Sequence, residues 1–149
     1  MADEAASVSL VFRAGSMLCA LRLDEVIETM RPLDTRPLAG TPAFVRGVSI
    51  MRGVPTPVVD VARLVGGEQA AVLRFVAVRT EHGPVAFATG AVLGTRATPP
   101  VGPAVFPGAS SRLVAGVGTV DSEPILLLQS RRVVPEEVWA AAADAMVAS

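Results

Sequence analysis

Apolar and polar residues alternate with a period of two along most of this chain, the pattern of strands that bury one face. Val8 to Arg13 sets Val8, Leu10 and Phe12 on one side. After the turn Ala14-Gly15-Ser16, the residues Met17, Cys19, Leu21 and Leu23 continue the alternation while Arg22 points outward. The pattern predicts a hairpin. Asp24 can cap a single helical turn running to Val26, and Ile27 to Arg31 is extended until Pro32 ends it. Pro32, Pro37, Gly40 and Pro42 then mark a loop whose length suggests a covering or binding role.

Val45 to Asp60 reads as strand, tight turn and strand. Gly53 supplies the backbone angle that a turn needs, and Pro55 and Pro57 keep the exit extended. The arginine in that turn is unusual, because such positions favour Asn, Asp, Ser or Gly. Asp60 is placed to cap a short helix, Val61 to Val65, stopped by Gly66-Gly67. Strands follow at 74–80, 85–89 and 92–96, with Glu81-His82-Gly83 as the intervening turn. A proline-rich loop at 98–108 separates them from strands at 113–120 and 125–129, which flank the turn Asp121-Ser122-Glu123-Pro124. Residues 1–7 read as a loose arm. Pro135, Glu136 and Glu137 open a helix over 135–147 with Val138, Ala142 and Met146 at four-residue spacing and Trp139 on its flank. That helix is expected to dock on its own barrel; the alternative is that Trp139 and Met146 face a partner.

The order of elements occurs twice. Phe44 to Val65 written above Leu113 to Val134, at an offset of 69, gives six identities in 22 positions, among them Val45 with Val114, Gly47 with Gly116 and Pro55 with Pro124. The preceding hairpins follow at an offset of 66, with Arg13 over Arg79. This predicts one domain over 1–149 made of two repeats, 8–67 and 74–134, each with five strands. Short strands, sharp turns and little helix make the fold class all-β, two small five-stranded barrels sharing a core. The copies differ at two polar positions: Arg52 stands over Asp121, and Glu28 over Gly94. A residue kept in one copy only is a candidate for recognition, and arginine is a common anchor at interfaces.

Composition narrows the chemistry. With one His, one Cys, no Lys and no Tyr, the chain has little from which to build a nucleophile, base and orienter. His82 reads as an exposed turn residue and Cys19 as a small buried side chain. Dispersed carboxylates give no metal-ligand spacing, and the glycines form no phosphate cradle, so neither metal nor cofactor is expected. Thirteen Arg scattered among fourteen acids, for a net charge of −1, and few aromatics speak against nucleic acid as a partner. The acidic start and the lack of a long apolar segment speak against export or membrane insertion, and a cytoplasmic protein is expected.

Gly47-Val48-Ser49-Ile50-Met51-Arg52-Gly53, followed by Pro57-Val58-Val59-Asp60 and Leu64, resembles the central motif of the CheW-like coupling proteins of bacterial chemotaxis. Val26-Ile27-Glu28 is similar to that family's Val-Xaa-Glu, and Val114-Ala115-Gly116-Val117 to its late Gly-Val. The likeness runs from Val8 to Val134. It implies two SH3-like five-stranded barrels with first strands exchanged. It also implies a non-enzymatic adaptor that joins a CheA-type histidine kinase, through its regulatory domain, to the cytoplasmic tips of chemoreceptors. Glu28 and Arg52 fall on the residues implicated in partner contacts; Gly47, Gly53, Pro57, Asp60 and Gly116 fall on the structural motif. Thr89-Gly90-Ala91-Val92 lacks the acid of the family's Val-Asp-Xaa-Val, and Gln129 stands where an Asp is common. The rival reading from residues alone is a barrel module that binds a small ligand or regulates an unrelated enzyme.

Overall fold

A computed structural model describes residues 7–66, 69–98, 113–131 and 133–148. The chain forms β1 (Ser7–Ala14), β2 (Met17–Arg22), a one-turn 3-10 helix (Leu23–Glu25), β3 (Val26–Met30), β4 (Val45–Met51), β5 (Val54–Asp60) and α1 (Val61–Gly66). It continues through β6 (Arg74–Thr80), β7 (Gly83–Thr89), β8 (Val92–Thr98), β9 (Val114–Val120), β10 (Glu123–Leu128) and α2 (Glu136–Ala148). Residues 1–6 of the anticipated arm, Gly67 and the proline-rich loop beyond Thr98 lie outside the described residues, while Ser7, read as the end of that arm, opens β1.

The strands make two five-stranded sheets, in the order β8-β1-β2-β10-β9 and β3-β6-β7-β5-β4. Each sheet therefore takes its leading hairpin from the other half of the chain. Hairpin β1-β2 is antiparallel within itself and runs parallel to β10 through Ile125 and Leu18, while β6-β7 joins β5 in the same way through Val58 and Ala86. The pairing registers of the two sheets superimpose residue for residue. Val59 opposite Phe87 in one becomes Leu128 opposite Leu21 in the other, at the offsets of 69 and 66 that relate the two halves in sequence. Even the irregularities match, since the shift between Val45 and Gly47 against β5 is repeated in β10 between Leu127 and Leu128 against β9.

Exchange of hairpins explains why the strands are more apolar than half-buried strands need to be. Val11, Leu18, Ala20, Ile125 and Leu127 fill the inside of one sheet, and Met51, Val58, Phe75, Ala77, Ala86 and Ala88 the inside of the other. The opposite faces, with Leu10, Phe12, Cys19, Leu21, Val59, Val76, Val78 and Phe87, pack together in a third core between the sheets. The expectation of a half-buried first strand is corrected here: β1 is buried on both faces from Ser9 to Phe12. α1 seals this shared core with Val61, Ala62 and Leu64. α2 docks on it through Val138 and Ala142, and Trp139 lies edge-on to His82 with ring centroids 6.0 Å apart. Trp139 is thus a packing residue in this chain, and the side chain of Met146 lies outside the described residues.

Candidate functional site

Two positive φ angles, 53° at Arg52 and 80° at Gly53, make the β4–β5 connection a two-residue turn of the mirror-image kind that suits twisted hairpins. Gly accepts that region freely. Arg52 does not, since its Cβ crowds the backbone there. The turn aims Arg52 across the mouth of the sheet to β3, the strand at the other end of the sheet order. Its Nε donates to Glu28 Oε2 at 2.6 Å and its NH2 to Glu28 Oε1 at 2.7 Å. A bidentate pair between opposite edges means that the sheet has curled until its ends meet, which is the closure of a small barrel.

The structure thus joins the two residues that the sequence singles out for partner contact. The pair sits in solvent on the cationic side: the Arg52 side chain is 76% exposed and that of Glu28 29%. The hydrogen bond to Arg52 holds the Glu28 carboxyl below its ordinary range, and the same bond raises the guanidinium further above its own. Both remain charged at any physiological pH. Ile27 beside Glu28, and Ile50 and Val54 flanking the turn, are large apolar residues left exposed. A fixed ion pair in an apolar surround is well suited to recognition, because such a surround excludes water once a partner covers it.

Sequence comparison of the two copies suggests that Arg52 and Glu28 have no counterpart, and this is corrected. In the other sheet the turn residues Asp121 and Ser122 also have positive φ, 50° and 68°. Asp121 accepts a hydrogen bond from Arg96 NH1 of β8 at 2.8 Å. The closure pair therefore recurs with its charges reversed, and with the strand partner two residues along from Gly94, on the same side of the strand. The substitution of Arg52 by Asp in the second copy carried that signal; the two-residue shift on β8 concealed it.

The motif residues have identifiable structural tasks. Asp60, 4% exposed, accepts from the Arg63 N–H at 3.2 Å as the cap of α1, and from Arg46 NH1 at 3.0 Å. Pro57 faces Val48 across the β4–β5 ladder. Gly47 lies against the loop that follows β3, where Arg36 and Val48 exchange backbone hydrogen bonds of 2.8 Å. That loop does cover something, namely the outer edge of β4, and Ser49 Oγ adds a bond of 2.8 Å to the Asp34 carbonyl. Gly116 occupies the matching irregularity of the other sheet, opposite Leu127. Among the described residues no three His, Cys, Asp or Glu side chains converge as a metal site.

The model of the CheW-like domain matches residues 9–138. The chain belongs to the CheW-like family. Its fold is similar to that of the scaffolding protein TtCheW from Thermoanaerobacter tengcongensis, with a TM-score of 0.72 and 19% identity, over 86% of this chain and 92% of that one. No curated protein sequence matches the chain. In this CheW-like domain, then, the all-β architecture of two five-stranded barrels and a C-terminal helix is the fold shared with TtCheW, and the Arg52–Glu28 pair stands on the motif by which the sequence resembles the family.

Proposed function

We propose that this CheW-like domain is a non-enzymatic adaptor that couples the cytoplasmic tips of chemoreceptors to the regulatory domain of a CheA-type histidine kinase. The observation that carries the reading is the exposed, bidentate Arg52–Glu28 pair with Ile27, Ile50 and Val54 beside it, in a chain of this family. The kinase's regulatory domain would pack against exposed apolar strand edges, and a receptor helix would lie in the groove between the barrels. About 800 Å² per partner would be an ordinary contact. Coupling then requires that the adaptor touch the two signalling states of its partners differently. Among the described residues no helix is long and apolar enough to cross a membrane; location in the cytoplasm, and recruitment to membrane arrays through receptors, belong to this proposal.

The test is capture of the full chain by the isolated kinase regulatory domain and by receptor tips, together with kinase activity in their presence. Arg52→Glu should abolish at least one capture while the circular dichroism spectrum is kept. A folded wild-type chain that binds neither partner overturns the proposal and favours a ligand-binding module.

A further inference from the structure

The two copies differ most where α1 ends one of them. In the first copy Val61 and Ala62, the opening residues of α1, enter the shared core, and the neighbouring strand β7 carries the buried Ala88 near its end. The residues standing over them at an offset of 69 are Ser130 and Arg131, and the residue standing over Ala88 at 66 is Arg22. None of the described residues between Ser130 and Pro135 is helical. Instead of an apolar plug the second copy has an open cleft of about 500 Å³, whose lining includes the cations Arg22, Arg79 and Arg131, the acids Asp24 and Glu25, and Ser130.

Its charges are unevenly matched. Arg22 is paired with Asp24 at 2.8 Å. Glu25 is occupied at the floor, where its Oε1 accepts from the fully buried Ser130 N–H at 2.7 Å and lies 2.9 Å from Ser130 Oγ. Arg131 comes only within 3.8 Å of Glu81, beyond hydrogen-bond distance. Among the described residues, no carboxylate reaches Arg79. It donates from NH1 to the carbonyls of Asp24 and Val26, at 3.2 and 3.0 Å. Its counterpart Arg13 is neutralised by two bonds to Glu123, but the residue equivalent to Glu123 in this copy is Val54. One guanidinium without an acid and another loosely held therefore border a cleft that the first copy fills with hydrocarbon.

We propose that this cleft is an oxyanion site for a phosphate group, gripped by Arg79 and Arg131. Among the described residues Arg79 has no acid of its own and Arg131 meets Glu81 only at 3.8 Å, outside hydrogen-bond range, so both planar forks can turn to the oxygens of a phosphate. The site does not depend on the coupling role proposed above.

Titration of the labelled full chain with inorganic phosphate, read by amide chemical shifts, tests it, with acetate at equal ionic strength as the comparison. Saturable shifts at Thr80, Ser130 and Arg131, weakened about tenfold or more in Arg79→Gln, are expected. Arg79→Lys keeps the charge and loses the fork, and should fall between. The absence of saturable shifts, equal shifts with acetate, or full binding by the folded double variant Arg79→Gln, Arg131→Gln overturns the assignment. Pyrophosphate and a capped phosphoserine peptide distinguish the sources. Tighter binding of the first places the phosphate on a small molecule, tighter binding of the second on a protein side chain, and either upholds the site.

Discussion

A Cβ placed on Gly47 would lie 1.9 Å from the carbonyl oxygen of Arg36, closer than any packed structure tolerates. The φ of 143° at Gly47 is also one that side chains resist. Because Arg36 and Val48 exchange two backbone bonds there, the loop cannot retreat without giving up its hold on the edge of β4. Gly47→Ala is therefore expected to destabilise the fold by about 2 kcal/mol or more. Denaturant unfolding gives the number, and faster hydrogen exchange at Arg36 and Val48 gives the location. Gly40 has nothing within 4 Å of its would-be Cβ, so Gly40→Ala should cost less and leave that exchange unchanged.

Charge exchange separates the two roles of the Arg52–Glu28 pair. If the pair only closes the barrel, reversing it should be harmless, since the other barrel is closed by the reversed pair Asp121–Arg96. Arg52→Glu combined with Glu28→Arg is expected to retain the thermal midpoint of the parent yet to lose capture of the kinase regulatory domain or the receptor tip. Unaltered capture by the exchanged protein would assign the pair to the fold alone.

Strand placement was legible because alternation along β1, β2, β6 and β7 survives in the sequence, and turns are marked by Gly15, Gly53 and Gly83. What alternation cannot express is burial of both faces. Val11 and Ala77 point into their own barrels while Phe12 and Val78 enter the shared core, and that depends on which half each hairpin joins. Of the site, Glu28 and Arg52 were legible as single positions on a motif. Their contact was not, because the two stand 24 positions apart and meet only when the sheet closes. The cleft was hidden for a similar reason: Arg22, Arg79 and Arg131 come from three distant segments that meet only in the folded chain.

Acid should act on the carboxylates that the arginines hold. Glu123 receives two bonds from Arg13, and those bonds keep its carboxyl below the ordinary range, as Arg52 does for Glu28. With folded values below unfolded ones, the unfolded chain binds more protons in the window between them, so stability rises with pH there. The contribution is complete above the ordinary carboxylate range and disappears as pH falls through the lowered values. Thermal midpoints of the parent and of Glu123→Gln should differ at neutral pH and converge in acid. A constant difference across the titration would show that the bond contributes through packing rather than charge.

Cys19 is expected to be silent toward thiol reagents until the protein unfolds. It is fully buried in the shared core between the sheets, and burial pushes its thiol up to about 12 from an ordinary 9.0. The proximity of Arg13 pulls the other way and does not offset the loss of solvent. The thiolate is the reactive form, so a rise of this size lowers its population near neutral pH roughly a thousandfold before access is considered. Reaction with a chromogenic disulfide should thus follow the unfolding transition, with a rate that rises with denaturant as the two sheets separate. A fast reaction in native buffer would mean that the inter-sheet core opens locally, without global unfolding. Leu21→Ala, which removes a fully buried neighbour from the same core, should bring the labelling transition to lower denaturant.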